Sequence, residues 1–188
     1  MLILLKKQKI TAASNLLEAH EKLFKDSHNY HQKIGFISYQ IRVLGELGNL
    51  KLAENKANVF LSKYKKEIFE QRWHHFFTSY LNVLIAQEKY NEILKLANKY
   101  NLVSKEEVRK KKQNYVPNIS WSISLSKYME GIINSKKLLE ELKEGLKDVV
   151  ITLNQQQLMI QVINKLSKNL PNSFYKLKSH ILNLDVSI

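Results

Sequence analysis

Along this chain apolar residues recur every three to four positions, the spacing of a single helix face. From about Ile10 to Phe24 that face carries Leu16, Leu17, His20, Leu23 and Phe24, and Asp26-Ser27-His28-Asn29 interrupts it. A second period, from about Tyr30 to Leu47, places Ile34, Ile37, Ile41 and Leu44 in line and stops at Gly48-Asn49, where a glycine just past a helix end is expected. A third runs from about Leu50 to Tyr64 through Ala53, Ala57, Phe60 and Leu61. A fourth, from about Glu67 to Gln87, carries Trp73, Phe76, Phe77, Tyr80, Leu81 and Leu84. The fifth follows a break at Glu88-Lys89 and runs through Tyr90, Ile93, Leu94 and Ala97 to Tyr100.

Beyond Tyr100 the pattern shortens. Ser104-Lys105-Glu106-Glu107 is a capping box and predicts a short basic helix through Arg109-Lys110-Lys111-Lys112. Val116-Pro117-Asn118 breaks the chain, because proline disfavours helix in the residue before it. A seventh helix holds Trp121, Leu125, Tyr128 and Ile132. An eighth, after Asn134-Ser135, holds Leu138, Leu139, Leu142 and Leu146. One more is expected from about Thr152 to Leu170 and a last one after Pro171-Asn172-Ser173. The expectation is an all-α chain of about 9–10 helices. It is read as one domain over 1–188, with a repeat-like core over about 30–147 and a helical extension over about 150–188.

Helices joined by such short turns are antiparallel neighbours, and an amphipathic hairpin must stack on another to bury its apolar face. The spacing Leu44-x3-Gly48-x-Leu50-x2-Ala53 returns 40 residues later as Leu84-x3-Glu88-x-Tyr90-x2-Ile93. Trp121-x2-Ser124-x3-Tyr128 opens what looks like a third copy. These residues resemble the tetratricopeptide repeat, with departures: glutamate at the second turn, Ile93 where that family has alanine, and a period of 40 rather than 34. The resemblance implies a right-handed superhelix of stacked hairpins with a groove for a peptide or partner helix.

Composition changes the picture little until charge is considered. The 188 residues include 5 Gly and 2 Pro, too few turn residues for a sheet-rich fold of this length. There is no cysteine, which excludes disulfides, thiolate zinc sites and cysteine nucleophiles; a cytoplasmic location is the expectation. Met1-Leu2-Ile3-Leu4-Leu5 precedes Lys6-Lys7-Gln8-Lys9, the reverse of a signal peptide's charge order. It reads as a helix start or as the cut edge of a longer protein. No run approaches the ~18 apolar residues of a membrane span.

The net charge is +13, which suggests nucleic acid, an anionic surface or an acidic partner. It is spread evenly along the chain, however, and arises from 27 Lys and only three Arg: Arg42, Arg72 and Arg109. Forked recognition of phosphate or guanine uses arginine. Lys105, Arg109, Lys110, Lys111 and Lys112, with Tyr115 beyond, form the strongest local candidate for nucleic acid or an acidic partner. The competing reading is a solvated helix end whose cations suit the helix dipole. His28, His31, His74 and His75 lack the spacing of a metal site, and Trp73, Phe76, Phe77 and Tyr80 at helical spacing read as core. No phosphate loop, nucleophile elbow or HExxH is present. The expectation is therefore a non-enzymatic scaffold without cofactor or metal that binds a protein or peptide. A basic nucleic-acid-binding protein is the alternative.

Overall fold

The computed structural model describes residues 9–26, 29–64, 73–102, 117–145, 151–166, 173–183 and 186–187. Among these the chain is helical. Nine helices run as α1 (Ile10–Lys25), α2 (Tyr30–Glu46), α3 (Leu50–Lys63), α4 (Trp73–Ala86), α5 (Tyr90–Tyr100), α6 (Pro117–Met129), α7 (Ser135–Gly145), α8 (Leu153–Leu166) and α9 (Ser173–Leu182). Two two-residue strands, β1 (Ile151–Thr152) and β2 (Val186–Ser187), pair in parallel, Ile151 opposite Val186. No described helix is long and apolar enough to cross a membrane. The chain divides into two compact units, Met1–Gln87 and Glu88–Ile188.

In the first unit α2 is central and packs against α1, α3 and α4. Its start is capped by Asn29, whose side chain accepts from the Gln32 N–H at 3.2 Å. The sequence suggested one apolar seam of Ile34, Ile37, Ile41 and Leu44, but α2 buries two. Ile34 and Ile41 are fully enclosed, whereas Ile37 and Leu44 are only half-buried. Phe36 and Val43 form a separate core with Ala13 and Leu17 of α1, and Ile10, Phe24 and Tyr39 close its margin. Phe24 stacks on Phe36 with ring centres 4.5 Å apart. A helix with neighbours on three sides needs apolar residues around most of its circumference. Buried Ser38 contributes by size: its hydroxyl folds back onto the Ile34 carbonyl at 2.6 Å and so carries no unmet polar cost.

The α4 aromatics form the floor of this unit. Trp73, Phe76, Phe77 and Tyr80 are 2% exposed or less. Phe60 of α3 meets Phe76 at 5.1 Å and Trp73 at 5.7 Å. The Tyr80 hydroxyl donates to Asn58 Oδ1 at 2.7 Å, which lets its ring go under without stranding its polar tip. Rings of this size bury ~150–250 Å² each, so this cluster is core and leaves no open ring face as a ligand platform.

In the second unit α6 packs against α5 and α7, α7 against α9, and α8 against α9. Every residue of α6 from Ile119 to Ser126 is buried. Ile119, Trp121, Ile123 and Leu125 alternate there with four serines, a period of two that would suit a strand if read alone. Small serines let neighbouring helices approach from the remaining sides. Ser126 bonds back to the Ser122 carbonyl at 2.7 Å, and Ser124 donates to Glu141 of α7 at 2.6 Å. The seventh helix does not reach Ile132 as its sequence pattern suggested. It ends at Met129, because Gly131 turns left-handed (φ 71°) and the Ile132 N–H closes on the Lys127 carbonyl at 2.8 Å. Ile132 is left 62% exposed. Gln156 of α8 is buried and donates to the Ile181 carbonyl at 2.9 Å, satisfying the end of α9.

Candidate interaction surface

The positions that carry the 40-residue pattern fall at matching places in two helix–turn–helix segments. Leu44 and Leu84 lie in the last turn of α2 and α4, half-buried and fully buried respectively. Gly48 follows α2 with φ 78° and Glu88 follows α4 with φ 59°, both in the left-handed region. Leu50 and Tyr90 open α3 and α5, each half-buried, and Ala53 and Ile93 are fully buried one turn later. Position by position, burial over Leu50–Phe60 is the same as over Tyr90–Tyr100, and Ala57-Asn58 recurs as Ala97-Asn98. Trp121 is buried on α6, Ser124 beside it is buried, and Tyr128 is half-buried.

Lys105, Arg109, Lys110, Lys111, Lys112 and Tyr115, with the capping box at Ser104, lie outside the described residues. Among the described residues no group of three or more metal-ligating side chains comes together. His20 is exposed on α1, with Nδ1 2.9 Å from the Leu16 carbonyl oxygen. His74 is half-buried beside exposed His75; its pKa is lowered first by desolvation and then by the neighbouring imidazole. Burial, with Tyr64 adding to it, raises the Tyr30 phenol; the two rings meet edge-on at 4.8 Å. Burial and then Glu88 raise the Tyr90 phenol.

A feature that periodicity could not reveal sits where α2 crosses α4. Gly45 is the close-approach point: a Cβ added there would stand 3.1 Å from Val83 Cγ2. One residue to the side on each helix, Glu46 Oε2 and Asn82 Oδ1 are buried acceptors without a hydrogen-bond donor. Glu46 Oε1 takes Arg42 Nε at 2.8 Å, leaving its second oxygen for another N–H or O–H. Buried acceptors of this kind are costly unless something supplies a proton. Both oxygens are enclosed by the crossing itself, so they are an internal polar cost of this packing.

The second unit holds an apolar cavity among α6, α7, α8 and α9, lined by Trp121, Leu125, Leu138, Leu142, Met159 and Ile181. At about 20 Å³ it has room for one water-sized body. That excludes it as a cofactor or substrate site and marks it as a packing gap. Comparisons with protein-family models, with curated proteins and with solved structures found no match.

Proposed function

We propose that this chain is a non-enzymatic scaffold, a tetratricopeptide-like array of stacked helical hairpins that binds a peptide or a partner helix in the cytoplasm. The observation that carries the reading is the recurrence of one register and left-handed turn at Leu44–Ala53 and again at Leu84–Ile93, with the same burial pattern over Leu50–Phe60 and Tyr90–Tyr100. Helical hairpins with the same buried face stack on one another, and stacking leaves a long helical surface for recognition. In the first unit α2 packs on both α3 and α4, the arrangement such stacking requires. Lysines supply attraction for acidic segments.

Affinity capture of the full chain from its native cell, with and without nuclease, tests this. The expected result is a protein partner set that survives nuclease. A salt-sensitive complex with DNA or RNA, tight at physiological ionic strength and abolished by neutralising Arg109, Lys110, Lys111 and Lys112, would replace it with the nucleic-acid reading.

A further inference from the structure

α1 is apolar on two faces. Ala13, Leu17 and Phe24 turn into the core with α2. One residue earlier each time, Ala12, Leu16 and Leu23 turn outward, and Ala19 joins them. These four lie at i, i+4, i+7 and i+11, a continuous stripe along one side of a helix. All four are exposed, Leu16 at 36% and Leu23 at 67%. The sequence pattern had grouped Leu16, Leu17, Leu23 and Phe24 on one side; the packing separates them into two seams. Isolated exposed leucines need no explanation, but a stripe at coiled-coil spacing does. The outward face of a helix at the edge of a stacked array is ordinarily polar.

We infer that this stripe joins two copies of the chain, α1 against α1, antiparallel about a two-fold axis between Leu16 and Ala19. In that register Ala12 meets the partner's Leu23, Leu16 meets the partner's Ala19, and the two-fold repeats both contacts. Every layer then sets one large side chain against one small one, which is how two helices interdigitate without gaps. Parallel pairing would set leucine against leucine and alanine against alanine, crowding some layers and emptying others. Charge favours the same face. α1 carries two Glu and two Lys and is neutral within a +13 chain, so local self-repulsion between copies is small there. Antiparallel macrodipoles also attract. A single helix pair buries less than the ~1,200–2,000 Å² of a stable complex, so the dimer is weak and forms at roughly tens of micromolar or above. This inference stands independently of the peptide-binding reading.

Sedimentation of the full chain over a concentration series tests it. The mass should rise from 22.1 kDa toward twice that value. Leu23→Glu should hold the chain at the monomer mass, and the milder Leu23→Ala should shift the midpoint at least several-fold to higher concentration. Neither should change the melting temperature of dilute protein, because Leu23 is already mostly in water. The register has its own test, since the native chain has no cysteine. A mixture of Ala12→Cys and Leu23→Cys chains should oxidise to a mixed disulfide dimer, while each alone does not cross-link. A chain that stays monomeric, a dimer that survives Leu23→Glu, or disulfides formed by Ala12→Cys alone would each overturn the inference.

Discussion

The turn after α2 and the turn after α4 join helices with the same apolar register, yet one is built on glycine and the other on glutamate. At Gly48 the left-handed backbone is free of steric cost, and nothing lies within 4 Å of where a Cβ would stand. The Asn49 N–H reaches back to the Leu44 carbonyl at 2.9 Å, the long bond of a glycine-capped helix end. At Glu88 the same conformation is held by a residue with a Cβ, at a backbone cost of ~1–2 kcal/mol. Leu84 is buried before this turn, and Ile93 and Ala97 are buried after it. Glu88 also pairs with Lys165 at the surface, where both side chains are mostly in water and the ion pair contributes little. The same left-handed turn therefore occurs with and without a Cβ at its centre. Glycine makes the turn easier without being required for it.

The largest test of that comparison lies at the buried position behind each turn. Ile93→Ala should destabilise the chain by ~2–5 kcal/mol, since a fully enclosed isoleucine leaves a cavity. Ala53→Ile, the reverse change at the matching position, should cost ~1–3 kcal/mol through overpacking. Urea midpoints measure both, and a neutral Ala53→Ile would show that the space around Ala53 matches that around Ile93. Next in size is Gly48→Val, expected to cost ~1–2 kcal/mol from backbone strain alone. Gly48→Asn should cost less, because asparagine tolerates this conformation. Smallest is Glu88→Gly, which should stabilise by up to ~1 kcal/mol as left-handed strain is relieved, offset in part by the added freedom of the unfolded chain. A lower melting temperature for Glu88→Gly would mean that Glu88 contributes more through Lys165 than its exposure allows.

Much of the secondary structure was legible in the sequence. The starts at Ile10, Tyr30, Leu50 and Tyr90, and the stop at Gly48, follow from apolar period and breakers. Gly131 carried the same stop signal as Gly48, but the apolar Ile132-Ile133 beyond it masked the end of α6. Asn101, left-handed at φ 48° after α5, was equally readable as a cap. Of the candidate site, the matched turns were visible by spacing, whereas Glu46 and Asn82 were not. Nothing in a single helix period says which polar residue a neighbouring helix will enclose.

What the sequence determined by itself is local: helices where apolar residues recur every three to four positions, and ends where glycine, asparagine and proline change the backbone. Those are preferences of a few consecutive residues, and they are written in order along the chain. Tertiary structure decided how many faces of each helix are buried. The two seams of α2, the complete enclosure of Ile119–Ser126 despite four serines, and the division of α1 into a core seam and an open one all depend on which helices lie alongside. Burial is a property of neighbours far apart in sequence, so the same apolar residue becomes core or contact surface only once the helices have packed.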